Sequence, residues 1–85
     1  MQEIEIGKIT HFFSKPGVAA FTIENGELKV GDKIHIKGHT TDIEQIVDSI
    51  QIEHVNVQKA GKSESIGIKV KDKVREHDAV FKVMD

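Results

Sequence analysis

The chain has 85 residues, of which 38% are hydrophobic and 31% charged, with 12 Lys and Arg against 14 Asp and Glu. This size and composition predict one soluble globular domain over residues 1–85, and the slightly negative net charge is atypical of a dedicated nucleic-acid binder. Cysteine is absent, which excludes disulfides, thiolate catalysis and cysteine-based zinc sites. Small secreted domains usually rely on disulfides, and no signal peptide or membrane span stands out, so we expect a cytoplasmic protein.

Apolar residues alternate with polar ones along most of the chain, which predicts half-buried β-strands. In chain order, the predicted strands begin with the stretch around Ile4, Ile6 and Ile9 and continue with residues 18–23 after the turn at Pro16-Gly17. Further strands are predicted around residues 34–36, 66–70 and 80–83.

The middle of the chain is ambiguous, because Ile43, Ile46, Val47 and Ile50 have helical spacing. We favour strand throughout residues 43–57, since Ile and Val dominate there, with a bulge near Ile46-Val47 that shifts the alternation. Residues 72–78 are expected to hold one helical turn with Val74 pointing inward.

One segment, V-A-A-F-T-I-E-N-G-E-L-K-V-G-D over residues 18–32, contains two successive turn signals. Asn25-Gly26 predicts a chain reversal because both residue types tolerate positive φ, and Gly31-Asp32 predicts a second turn. The turn residues that we expect to be structurally important are Gly17, Asn25, Gly26, Gly31, Gly61 and Gly67.

This segment resembles the second domain of translation GTPases, in particular the bacterial initiation-factor pattern V-A-x-x-x-V-x-N-G-x-L-K-V-G-D. Gly7-Lys8-Ile9 resembles the first strand of that family, and Ala60-Gly61 followed by Ile66-Gly67-Ile68 resembles its A-G-x-x-[VI]-G-[IVL] element. A barrel at the C-terminus of some collagenase-like peptidases is similar as well. The resemblance implies an all-β fold, namely a closed six-stranded Greek-key barrel. The expected core is Ile6, Ile9, Val18, Ala20, Ile23, Leu28, Val30, Ile34, Ile36, Ile50, Ile52, Ile66, Ile68, Val70, Val80 and Val83.

Nothing in the sequence predicts a catalytic site, a nucleotide site or a cofactor. Ala60-Gly61-Lys62-Ser63 imitates the end of a P-loop, but Asn56 stands where that loop needs its first Gly. His35 and His39 would lie about 13 Å apart on a strand, too far to share a metal ion. Serines such as Ser49 and Ser63 lie in no nucleophile motif. We therefore expect no enzymatic activity, no metal and no cofactor.

The one dense basic stretch contains Lys69, Lys71, Lys73 and Arg75 at alternating positions. An extended chain would place these side chains on one face, and they are the candidate residues for contacts with RNA or another partner. The resemblance implies a non-catalytic binding module that contacts transfer RNA or ribosomal RNA. The alternative is a protein-interaction or substrate-docking domain related to the peptidase-associated barrels. We expect a monomer that binds neither a membrane nor a nucleotide.

Overall fold

The computed structural model of the protein describes residues 2–84 and shows ten β-strands and no helix in that range. In chain order these are β1 (Gln2–Phe13), β2 (Val18–Thr22), β3 (Leu28–Lys29), β4 (Lys33–Lys37), β5 (Asp42–Ile46), β6 (Ile50–Ile52), β7 (Val55–Val57), β8 (Lys59–Ala60), β9 (Ser65–Lys69) and β10 (Ala79–Met84). The all-β fold class is confirmed. The strand number differs from six because the middle of the chain forms three strands, and because β3 and β8 have two residues each, too few for a visible alternation. Residues 2–84 therefore contain no helix that could cross a bilayer.

Eight strands form one antiparallel sheet in the order β5-β4-β10-β1-β2-β9-β6-β7, and β3 pairs with β8 separately. The long strand β1 lies at the centre. Its first half pairs with β10 and its second half with β2, with a register shift in each ladder. Such shifts bend and twist a strand, and they let the sheet curve around the core.

The prediction of a closed barrel is wrong for this sheet, because the edge strands β5 and β7 do not pair with each other. Main-chain hydrogen bonding to the segment before β4 continues for one residue beyond β5. There the main-chain nitrogen of Val47 donates to the carbonyl of Asp32, and the nitrogen of Gly31 donates to the carbonyl of Val47, both at 2.8 Å. These two bonds place Gly31 and Asp32 together opposite Val47, so the extra residue lies before β4 and not at Ile46-Val47 as predicted. Val47 itself is buried in the core.

Most of the predicted core is confirmed, and the described residues pack into one hydrophobic cluster. The buried members that the alternation identified are Ile6, Ile9, Ile23, Leu28, Ile34, Ile36, Ile50, Ile66, Ile68 and Val80. Val30, Ile52 and Val70 pack against the cluster while partly exposed, and Val83 is half-buried. Ile43, Val47, Ala60 and Val74, together with Ala19 and Phe21 of β2, complete the core.

The predicted orientation of β2 is wrong. Ala19 and Phe21 are buried, whereas Val18 and Ala20 point to the outer face. Residues 18–21 are all apolar, so the alternation did not identify the inner face. Phe21 is the largest buried side chain, and its burial sets the orientation of the strand.

Three of the predicted turn glycines have a left-handed backbone, and the chain bends at Asn25-Gly26 without forming a hairpin there, because β2 and β3 do not pair. Gly17, Gly26 and Gly31 have φ values of 69°, 73° and 98°, which favour glycine. Gly61 begins a turn in which the main-chain nitrogen of Glu64 donates to its carbonyl at 3.1 Å. Gly67 lies inside β9 and not in a turn.

The helical turn expected at residues 72–78 does not form. Val74 is buried as predicted, but residues 70–78 form bends and a turn, and His77 has a φ of 75°. This segment therefore connects β9 to β10 as an irregular loop.

Candidate docking groove

An apolar groove of about 420 Å³ lies on the outer face of β2 and β9. Val18 and Ala20 form its floor together with Gly67, which pairs with Ala20 in the sheet. Phe13, at the end of β1, and Pro16 stand on one side. The groove exists because burial of Ala19 and Phe21 turns the other two apolar side chains of β2 toward solvent.

The depth of the groove depends on small residues. A Cβ atom on Gly67 would lie 3.1 Å from Cγ1 of Val18, so even an alanine there would press on the floor. Phe13 is 48% exposed, which is high for a large aromatic side chain. The groove floor and Phe13 together leave a modest apolar surface open to solvent, which makes this groove the candidate contact site for another molecule.

Polar side chains from the β6–β7 hairpin form the opposite rim. Gln51 lies on β6, and Glu53 and His54 form the connecting turn, since Ile52 pairs with Val55. Glu53 and His54 have φ values of 51° and 67°. Two successive positive φ values are typical of a type I′ turn, for which Asn-Gly is the preferred sequence.

This chain thus places a carboxylate and an imidazole in a strained turn at the edge of the groove. Non-glycine residues in the left-handed region cost about 1–3 kcal/mol each when the surrounding structure forces them there. Such strain is common at binding sites. The one serine hydroxyl at the groove, that of Ser65, lies 2.9 Å from the hydroxyl of Thr22 and not beside the imidazole.

The predicted basic residues lie elsewhere. Lys69 ends β9, and Lys71, Lys73 and Arg75 lie in the irregular loop before β10; all four are exposed. The bends of this loop place the last three over two shallow depressions, one bordered by Lys71 and Lys73 and the other by Lys73 and Arg75. All four are exposed, but they do not form the single flat face of an extended strand, and their contact with RNA or another partner stays a prediction.

A cluster that sequence reasoning missed surrounds His35 on β4. Its Nδ1 atom lies 2.9 Å from Oε2 of Glu3 on β1, and its Nε2 atom lies 2.5 Å from Oδ1 of Asp42 on β5. The pKa of the imidazole is raised, chiefly by the hydrogen bond to Asp42. Glu3 raises it further through its hydrogen bond and its negative charge, whereas partial burial of the imidazole lowers it. The alternation of Lys33, His35 and Lys37 predicted a polar face on β4. The sequence pattern did not show that strand pairing places Glu3 and Asp42 beside His35 on that face.

The second domain of elongation factor Tu is the family that this chain matches, over residues 17–79. A collagenase of Porphyromonas gingivalis is 48% identical over 82 residues, which are 95% of this chain and 20% of that protein. An uncharacterized protease of Methanocaldococcus jannaschii is 42% identical over 81 residues, which are 94% of this chain and 20% of that protein. The chain thus spans about a fifth of the length of these curated relatives.

The fold has a counterpart among solved structures. The C-terminal domain of a protein assigned as a U32 peptidase of Geobacillus thermoleovorans superposes with a TM-score of 0.86 at 18% identity, over 94% of this chain and 92% of that domain. The resemblance seen in the sequence, both to the translation-factor domain and to the peptidase-associated barrel, is confirmed. The chain belongs to the elongation factor Tu domain 2 family.

Proposed function

We propose that this protein is a non-catalytic docking domain that accompanies a peptidase and holds an extended polypeptide in the groove. The curated relatives are named as a collagenase and a protease, and the matched segment is about a fifth of each. Peptide-bond hydrolysis would then belong to the rest of such proteins, and this domain would contribute affinity for the substrate.

The observation that carries this proposal is the apolar floor of the groove, flanked by Phe13 and Pro16 on one side and by polar side chains on the other. Extended segments dock on aromatic-lined grooves because their fixed conformation loses little entropy on binding. Polar rim groups such as the Gln51 amide can pair with main-chain groups of such a segment. Collagen chains are extended in this way, which makes denatured collagen a suitable probe.

The test is binding of gelatin peptides to the chain, measured by calorimetry. Phe13→Ser removes the aromatic wall, and we expect it to weaken binding about fivefold or more. Ile46→Ser is the matched control, because Ile46 is 50% exposed on β5 and lies outside the groove. Equal losses from both variants, or no binding by the native chain, would contradict the proposal.

Contact with RNA remains the second candidate function. It is favoured by the exposure of Lys69, Lys71, Lys73 and Arg75, whereas the acidic residues between them and the net charge of -2 oppose it. The salt dependence of RNA binding separates the two candidates, since docking on an apolar floor depends little on salt.

A further inference from the structure

In contrast to the expectation from the sequence that no metal is bound, we propose that Glu3, His35 and Glu44 form a binding site for a divalent transition metal ion, and that Zn²⁺ is the ion that these ligands fit best. The site lies on the outer face of β1, β4 and β5, away from the docking groove, and the inference does not depend on the proposed docking function.

The three potential ligand atoms already lie close together. One ring nitrogen of His35 and one carboxylate oxygen from each of Glu3 and Glu44 lie within 4.8 Å of one another. Ligands about 2.0–2.1 Å from a tetrahedral Zn²⁺ are about 3.3 Å apart, so small side-chain rotations would complete the coordination. The side chains of Glu3 and Glu44 are 37% and 47% exposed, which leaves them free to make those rotations.

The imidazole, in contrast, is held in place. His35 lies directly opposite Glu44 in the β4–β5 ladder, and its side chain is only 12% exposed. Its ring packs against Phe81 of β10 with a centroid separation of 6.2 Å. Since the ligands come from three strands, the folded sheet assembles the site before any ion arrives.

Asp42 acts as a positioning residue. Its carboxylate accepts the hydrogen bond from Nε2 of His35, so the other nitrogen, Nδ1, faces Glu3. A carboxylate on the far nitrogen of a histidine ligand is the usual arrangement in metal sites, where it fixes the ring and raises its basicity. Binding of the ion at Nδ1 would release the proton on that atom to solvent.

The ligand set also selects the type of ion. Carboxylates alone suit Ca²⁺ or Mg²⁺, whereas an imidazole nitrogen favours Zn²⁺ and its neighbours in the transition series. The ion pair between Lys33 and Glu44 is long, at 3.9 Å, with both side chains well exposed. Such a pair is weak, so it would not prevent Glu44 from turning to the ion.

Calorimetric titration of the chelator-treated chain with ZnCl₂ at neutral pH tests the site. We expect one Zn²⁺ per chain. His35→Gln should weaken binding by more than tenfold, and Glu44→Gln, at an exposed position that folding tolerates, should weaken it about tenfold. His39→Gln is the matched control, because His39 is exposed and lies outside the cluster. No binding at millimolar Zn²⁺, or equal losses from the His35 and His39 variants, would overturn the proposal.

Three further measurements separate a metal site from a merely acidic surface. Asp42→Asn should weaken Zn²⁺ binding by about 10–100-fold, and nitrogen NMR should show the metal-induced shift at Nδ1 of His35 in the native chain. MgCl₂ should bind much more weakly than ZnCl₂. Equal affinity for the two ions, or a metal-induced shift at another histidine, would overturn the assignment.

Discussion

The side-chain amide of Gln45 donates a hydrogen bond of 2.8 Å to the main-chain carbonyl of Lys69. Its Oε1 atom accepts a second bond, of 2.9 Å, from the main-chain nitrogen of Lys71. A side chain from the edge strand β5 thus pairs with the end of β9 as a neighbouring strand would. It joins two parts of the sheet that main-chain pairing does not connect directly.

Replacement of Gln45 tests this contact. We expect Gln45→Leu to lower the free energy of unfolding by about 1–2 kcal/mol, because two main-chain groups lose their partner. Gln45→Glu keeps the acceptor for Lys71 but places a carboxylate against the Lys69 carbonyl, so it should be destabilising as well. Urea denaturation measures both, and an unchanged midpoint in both variants would show that the contact contributes nothing.

The turn at Asn25-Gly26 gives a second stability prediction. Gly26 has a φ of 73°, and Gly26→Val would force a β-branched residue into that region. We expect a loss of about 1–3 kcal/mol in the free energy of unfolding. Gly61→Ala is the control, because no positive φ is required there and the nearest atom to an added Cβ is 3.9 Å away. Similar losses in the two variants would mean that backbone strain is not the cause.

The sequence predicted the parts of the fold that depend on local pattern. Ile34 and Ile36 alternate with polar residues, and both are buried as expected. The orientation of β2 could not be predicted in the same way, since Val18 and Ala20 are as apolar as Ala19 and Phe21. That choice depends on which side chains fit the interior, and it is also what creates the groove.

The candidate sites depend on contacts between distant parts of the chain. Glu3 and His35 are 32 residues apart in the sequence. They meet because β1 and β4 both pair with β10, which places them on the same part of the sheet. The type I′ turn at Glu53-His54 carries no Gly or Asn, so no turn signal marked it. Both features follow from strand register, that is, from the pairing of residues on different strands, which the local pattern of the sequence does not show.

The strained turn at the rim of the groove gives a prediction for function and stability together. Replacing Glu53 by Asn and His54 by Gly would install the preferred type I′ sequence, and we expect a gain of about 1 kcal/mol or more in the free energy of unfolding. If the two side chains contact the docked polypeptide, gelatin binding should weaken at the same time.

Ser63→Gly is the control for that double variant. Ser63 has a φ of 77° in a different turn, so glycine there should also stabilise the fold while leaving gelatin binding unchanged. If the double variant binds gelatin as well as the native chain does, the strain at residues 53 and 54 has no role in docking.

The contacts of His35 predict a pH dependence of stability in the chelator-treated chain. Glu3, Asp42 and Glu44 face the imidazole from β1 and β5, and Lys33 lies beside Glu44. The hydrogen bond to Asp42 and the contact with Glu3 raise the pKa of His35, so the protonated imidazole stabilises the folded state. This stabilisation is fully present below the unfolded-state pKa of about 6.5. The effect is lost as the pH rises through the folded-state pKa.

The measurement is urea denaturation of the native chain and of His35→Gln over a series of pH values, with chelator present throughout. The difference between the two unfolding free energies should be largest at about pH 5–6.5 and should shrink at higher pH. A difference that stays constant, or that grows with pH, would mean that the charged imidazole does not stabilise the fold.

The four basic residues Lys69, Lys71, Lys73 and Arg75 predict weak, salt-dependent binding to RNA. With at most about four phosphate contacts, the log-log salt slope for single-stranded RNA should be shallow, near -3, because each contact with a single strand contributes about -0.7. The net charge of -2 should keep the affinity micromolar or weaker. Lys acts as a point charge and reads no base edge, so binding should not depend on sequence.

Changing all four to Ala tests whether this loop makes the contacts, with transfer RNA and a single-stranded RNA as probes. The matched control removes four other exposed positive charges, those of Lys8, Lys15, Lys29 and Lys62. If the loop is the RNA site, its variant loses binding while the control, which has the same net charge, keeps most of it. Equal losses would show that RNA responds only to overall charge, and absence of binding at low salt would leave polypeptide docking as the function to pursue.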